Sequence, residues 1–586
     1  MINSSQPHPT THTTPTTPVC NAAETSSSRI GWLKNEKILL LTLLALIIVT
    51  WLPRLEGPID LRWDGGAYYV LGTSLAEGKG YKLLNEPGEI DAVQYPPLLP
   101  AIIAGHQLML GTNDPTVIGR WLRLSAFILF IAYIFTIYRF LKIYLPVIYA
   151  LPGAIICLFH LYFNFLSDLC FPETLFGLTT LLFFLYHLKS RSRGSQPAAY
   201  LFAVASYAVR TVGITVLAAW VAEGLVKREF KKAALRLVLI LIPVLCWQFY
   251  ISSIESSYEY NHPTYAYQRA PYMFYNVTYA RNIALRDPFA PEKGPLTIEG
   301  TARRFVHNTM RIPVKLAEMV SAKRGYWELG WTPWSESPTF NFIMWLLILA
   351  VLSVLSCFVL GGLGLLLIRR EWIIPLYVVM YITSICLTPF PGQFHRYLMP
   401  LVPFLVLSLL LFLLAAKDES HRILPPRWVG IGKRLMVPTL CAIFVVQIVC
   451  ITLIYTQEHR RAVYRDRNNQ VLSQRLFFYN QHQQAFDDGV DWLRQQAQPD
   501  DVIASSMPHW IYLRTGMKTV MPPLEIDVGK AQQLLDSVPV SYLILDRGAI
   551  DLQPYVLPLV QRYPERWKKV YKATDGDLTI YQRVSH

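Results

Sequence analysis

ILLLTLLALIIVTWLPRLEGPIDLRWDGGAYY, residues 38–69, joins an apolar run to a polar, glycine-bearing segment with two aspartates. Residues 38–52 carry no charge and follow Lys34 and Lys37. A cleaved signal peptide would leave a small-residue cut site. Leu52-Pro53-Arg54 is not one, and the preceding segment is too long. The run therefore reads as a retained first membrane helix with a cytoplasmic N-terminus. Asp64 then falls twelve residues beyond Leu52, close to the far membrane surface.

Composition extends this reading to the whole chain. Of 586 residues, 53% are hydrophobic and 16% charged, against about 25% charged in a soluble domain. The net charge of +14 suits the Lys/Arg excess of cytoplasmic loops, so no nucleic-acid partner is expected. Eight cysteines contain no CxxC pair, which leaves a zinc site or a disulfide framework unsupported. Residues 1–35 are rich in Ser, Thr and Pro and read as a disordered cytoplasmic tail.

Further spans are expected at about 120–138, 145–165, 169–188, 237–254, 341–368, 372–389, 397–416 and 435–455. Basic groups at Arg139/Lys142, Lys189/Arg191/Arg193, Lys227/Arg228/Lys231/Lys232, Arg369/Arg370 and Lys417/Arg422/Arg427 fall on one side, the cytoplasmic one. Residues 198–226 lie between two such groups and must start and finish on that side. About 29 residues cannot cross twice, so a short hairpin with its tip near Arg210-Thr211-Val212-Gly213 is expected. Broken backbone at membrane depth is tolerated where it lines a cavity. The expectation is a polytopic α-helical membrane protein of about 11 spans, the hairpin included, over residues 36–456. A multi-pass protein of the inner or plasma membrane follows.

Three segments fall on the external, periplasmic side. Residues 53–118 carry Asp60 and Asp64. Residues 255–340 hold eight tyrosines with Trp327, Trp331 and Trp334, a density suited to the headgroup level. Residues 457–586 are nearly neutral, with β-rich runs at 501–505, 538–545 and 578–582 between helical patterns. They read as a small external α/β domain.

Few residues could carry chemistry. Asp64 is either a solvated loop carboxylate or a general base for a hydroxyl, and the Gly65-Gly66 pair would let backbone approach a ligand. Asp168 and Glu173 border the turn before the fourth span. They read either as an N-cap and a first-turn acid, or as a pair in which Glu173 reaches the Asp64 cavity. Arg210 and Arg396 bind phosphate oxygens well in apolar surroundings, unless they serve as a buried ion pair and an interfacial anchor.

The order of these motifs resembles the integral-membrane C-type (GT-C) glycosyltransferases, in the bacterial branch similar to protein O-mannosyltransferases and lipid A aminoarabinose transferases. The carriers are Asp64-x-x-x-Tyr68, YPPLLP (95–100), SDLCFPETLF (167–176), Arg210-Thr-Val-Gly213, KREFKK (227–232), Arg396-Tyr397-Leu-Met-Pro400 and Trp510-Ile-Tyr512-Leu-Arg-Thr-Gly516. The resemblance implies a polyprenyl-phosphate sugar donor and an acceptor that is a lipid, a glycan or a protein. It places the base at Asp64 and the donor phosphate at Arg210, Arg396 and His395. Asp60, Tyr68, Tyr95, Asp168 and Glu173 would then line the substrate cavity. The family often has Asp-Glu where this chain has Asp64-Gly65. No cofactor is implied, and a divalent metal stays open. Other readings of the same features are a flippase or transporter of lipid-linked glycans and a polysaccharide polymerase or ligase. No internal repeat favours a transporter.

Overall fold

The structure is a computed structural model. It describes residues 35–189, 195–328, 337–415, 426–546, 548, 552–574 and 578–584. The N-terminal tail, Trp331, Trp334, Arg191, Arg193, Lys417 and Arg422 lie outside these residues, as does the Arg427 side chain.

Among the described residues, six helices are long and apolar enough to cross a membrane: Glu36–Arg54, Pro115–Tyr144, Phe230–Glu255, Pro338–Ile368, Pro391–Ala415 and Met436–Glu458. Val147–Leu158 and Leu161–Asp168 form a seventh span bent by 52°. Glu173–Leu188 and Ile373–Cys386 are shorter apolar helices, each at the position of an expected span. Pro391–Ala415 is the most enclosed, with 89% of its apolar window buried. Lipid-facing spans keep exposed apolar side chains, such as Leu241, Phe249 and Val351.

The hairpin appears as expected. Its arms are Ser195–Val209 and Ile214–Val226, joined through Arg210 and a single turn at Thr211–Gly213. Arg210 is extended (φ −146°, ψ 136°), which breaks the helix. A Cβ on Gly213 would lie 2.6 Å from the backbone of Ser206. Only glycine lets the second arm leave that close to the first.

Outside the bundle, residues 53–118 build helices Asp64–Ala76 and Leu98–Leu110 with the hairpin strands β1 (Lys82–Leu83) and β2 (Ile90–Asp91). The C-terminal region opens with an antiparallel hairpin, β3 (His459–Arg465) and β4 (Val471–Phe477). A mixed sheet follows, built from β5 (Val502–Ala504), β6 (Thr519–Val520), β7 (Val540–Asp546), β8 (Trp567–Lys572) and β9 (Leu578–Arg583). Its order is β6-β5-β7-β9-β8. β5 runs parallel to β6 and β7, whereas β9 is antiparallel to both of its neighbours. The expected strands at 501–505, 538–545 and 578–582 are β5, β7 and β9.

Two tyrosines of residues 255–340 are spent inside the protein. Tyr265 and Tyr267 pack into the core of the C-terminal domain. Their hydroxyls donate to Glu86 Oε2 (2.7 Å) and the Met521 carbonyl (3.1 Å). Burying the ring while bonding the hydroxyl inside satisfies both ends of tyrosine. The segment therefore straps the external domain to the first loop. It also contains an amphipathic helix, Ile298–Val320, that the aromatic count concealed.

Candidate active site

Asp64 is the first residue of its helix, entered from Trp63 at φ 55°. A carboxylate in that first turn is favoured by the helix dipole. Its Oδ1 accepts from the Tyr95 hydroxyl at 3.2 Å, and Oδ2 pairs with Arg396 Nη2 at 2.7 Å. Tyr68, one turn along, lies 4.7 Å from the Tyr95 ring. Burial, then the Asp64 charge, pushes both hydroxyls well above the usual tyrosine range, so they act as neutral donors.

Glu173 opens the helix Glu173–Leu188 and is fully buried. Its Oε1 accepts from Arg396 Nε at 2.5 Å and from Arg210 Nη1 at 2.7 Å. The order is Asp64, Arg396, Glu173, Arg210: two carboxylates and two guanidiniums, alternating and neutral in sum. Arg396 also lies over Phe171 at 4.2 Å, and Arg210 faces the Tyr397 ring at 5.6 Å. The exposures are 22% for Asp64, 17% for each arginine and 0% for Glu173. Glu173 is thus the buried anchor, and Asp64 with the arginine edges forms the accessible face. Such a face offers a base and two forks for an oxyanion.

The other candidates stand elsewhere. Asp168 ends the bent span and pairs with Arg123 at 3.1 Å, both 2% exposed. It does not cap the next helix, whose N-cap position is Pro172; the N-cap expectation is corrected. A buried arginine needs a charge partner, and Asp168 supplies it. Asp60 binds Arg62 at 2.6 Å, and Arg62 reaches the Phe477 carbonyl of β4. Both aspartates brace loops and do not join the Asp64 cluster. His395 turns away from Arg396 and bonds Glu318 Oε2 at 2.7 Å, stacked on Tyr162. Lys315 holds the same carboxylate at 2.6 Å. Burial raises the Glu318 carboxyl, but these two partners win and hold it at about 2. The glycine pair approaches protein, not open space: a Cβ on Gly66 would sit 2.9 Å from that of His509.

Sequence reasoning missed His509, Tyr275 and Phe171. Tyr275 lies 6.4 Å from the Tyr95 ring and 4.4 Å, edge-on, from His509. One tyrosine among eight gave no signal, and His509 was hidden beside Trp510 in a motif read only for its family likeness. Among the described residues no group of three or more His, Cys, Asp or Glu converges. Gly65 follows Asp64, and a guanidinium stands between Asp64 and Glu173.

No protein-family model matches the chain, and neither does any curated protein. Solved structures do. The Archaeoglobus fulgidus oligosaccharyltransferase, in complex with zinc and sulfate, is 11% identical over 93% of this chain and 73% of its own, with a TM-score of 0.50. ArnT from Cupriavidus metallidurans bound to undecaprenyl phosphate is 10% identical over 94% and 98%, with a TM-score of 0.46. The archaeal AglB, with an inhibitory peptide and a dolichol-phosphate, is 12% identical over 94% and 75%, with a TM-score of 0.48. The first of these likenesses, at a TM-score of 0.50, shows that the chain shares that protein's fold.

Proposed function

We propose that the protein is a glycosyltransferase that moves a sugar from a polyprenyl-phosphate donor to an acceptor hydroxyl on the external face, with inversion at the anomeric carbon. One observation carries this reading. A part-exposed carboxylate, Asp64, shares Arg396 with a buried Glu173 that also holds Arg210. Base and anion-binding groups therefore stand side by side where the first external loop meets the bundle.

In the proposed step Asp64 takes the proton of the acceptor O–H. The oxygen bonds to the anomeric carbon on the face opposite the phosphate. The anomeric C–O bond to phosphate breaks, and its electrons go to the departing phosphate oxygen. Arg396 and Arg210 neutralise that oxygen. Donor phosphate competes with Asp64 for the Arg396 fork, so donor binding frees the base. Tyr95 fixes the Asp64 rotamer, and Glu173 holds both arginines in place. The donor sugar, hexose or pentose, and the acceptor remain for experiment to name. The external location, with the N-terminus cytoplasmic, belongs to the same reading.

The test is transfer from radiolabelled polyprenyl-phosphate sugars by purified protein in lipid, with a membrane extract as acceptor source. Wild type is expected to transfer. Asp64→Asn is expected to lose transfer while still binding undecaprenyl phosphate. Normal transfer by Asp64→Asn would remove it as base. Turnover only with pyrophosphate-linked oligosaccharides would favour the polymerase or ligase reading, and movement of lipid without bond cleavage the flippase.

A further inference from the structure

We propose that His509, on the external domain, is an acceptor-binding residue: its imidazole hydrogen-bonds a second hydroxyl of a carbohydrate acceptor whose first hydroxyl reacts at Asp64. This rests on the reading of Asp64 as base.

His509 lies in the first turn of the helix Pro508–Thr515, which packs on the helix that Asp64 opens. Its Cβ lies against Gly66, two residues beyond Asp64, where any other residue would collide. Its ring meets Tyr275 edge-on at 4.4 Å, Tyr275 faces Tyr95 at 6.4 Å, and the Tyr95 hydroxyl bonds Asp64. The ring is 2% exposed, and its Nε2 has no hydrogen-bond partner among the described residues. Buried polar atoms are usually paired, and an unpaired one on a ring packed against the helix that Asp64 opens is a place for a partner that comes with substrate.

The chemistry of the ring narrows that partner. Burial holds His509 at about 3, against the opposing pull of Asp64, so the imidazole is neutral in use. A neutral imidazole offers one donor and one acceptor and no charge. A hydroxyl satisfies either nitrogen. Tyr95 and Tyr275, both half-buried, add aromatic faces that suit a sugar ring. A sugar carries several hydroxyls on one rigid frame, so one can reach Asp64 while another meets His509. A peptide hydroxyl has no such neighbour.

The experiment compares wild type, Asp64→Asn, His509→Phe and His509→Gln in the transfer assay above, with the membrane extract titrated as acceptor source. Undecaprenyl phosphate binding and acceptor-independent donor hydrolysis are followed in parallel. His509→Phe keeps a ring against Gly66 and Tyr275 but removes the hydrogen bond. Its apparent acceptor KM is expected to rise about three- to tenfold, with kcat, lipid binding and donor hydrolysis near wild type. His509→Gln, which keeps a donor and an acceptor, is expected to restore most of the KM. An unchanged acceptor KM in both variants overturns the proposal, as does a matching loss of donor-lipid binding. A labelled product that is a peptide without sugar also overturns it. If wild type transfers and Asp64→Asn does not, any such result counts against His509 alone. If Asp64→Asn transfers normally, the base reading fails and this proposal falls with it. Should His509→Phe fold poorly, His509→Leu takes its place in the same comparison.

Discussion

Arg396 touches two carboxylates at once, and this decides what each substitution there should do. Arg396→Lys keeps the charge but loses the fork, and it cannot serve both Asp64 and Glu173. Undecaprenyl phosphate affinity should fall by about tenfold or more, the loss of one charge-assisted hydrogen bond. A titration of lipid binding checks it. Glu173→Ala leaves two guanidiniums without their buried partner. It should destabilise by about 3–5 kcal/mol, read as a lowered Tm in detergent. His509 makes a pH prediction. Its folded value of about 3 lies below the ordinary histidine value, so as pH falls the unfolded chain takes the proton first. The stability of the neutral ring is complete above about pH 6.5 and declines below it by about 1.4 kcal/mol per pH unit. His459, held at about 4 by burial and then by Arg54, adds a slope of the same sign. Thermal unfolding at pH 7.5 and pH 5 should therefore show a smaller acid loss in His509→Phe than in wild type.

The hairpin of residues 195–226 shows how an element places a charge. Its two arms are too short to cross, and the bend at Arg210–Gly213 puts Arg210 beside Glu173 at 2.7 Å. The bend depends on Gly213, because an added Cβ would meet the Ser206 backbone, which cannot yield as a flexible side chain would. Gly213→Ala should cost about 1–3 kcal/mol in overpacking and shift Arg210. Transfer should then fall further than the Tm alone would suggest, as activity assayed well below the Tm would show. Retained wild-type activity would mean that the tip adapts.

At the scale of the whole molecule, two arrangements matter: orientation and domain docking. A membrane-impermeant maleimide should label Ser473→Cys on β4 in intact cells. It should reach Lys231→Cys only after permeabilisation; the reverse pattern would invert the proposed topology. Docking of the external domain runs through His509 on Gly66, Arg62 on the β4 backbone, and Asn85 donating to Thr519. Gly66→Leu should part these surfaces. Hydrogen exchange should rise across Pro508–Thr515 while the membrane helices stay protected.

Apolar runs of span length, the asymmetry of Lys and Arg, and β-rich runs at 501–505, 538–545 and 578–582 needed no partner to be read. They determined the membrane class, the apolar helices of the bundle, the short hairpin with its arginine tip, and the existence of an α/β domain. The physical reason is that solvent period and bilayer thickness act on each segment alone. Asp64, Arg210, Arg396 and Glu173 were legible for the same reason, since charges at membrane depth or at a span end stand out singly. Their joining into one alternating cluster, the diversion of Asp60, Asp168 and His395 into other ion pairs, and the entry of Tyr275 and His509 were decided by tertiary structure. Each arginine had several carboxylates within reach of the sequence argument, and only packing chose among them. A tyrosine or histidine gains meaning from what it faces, and the chain brings Tyr275 and His509 to Asp64 from two distant segments.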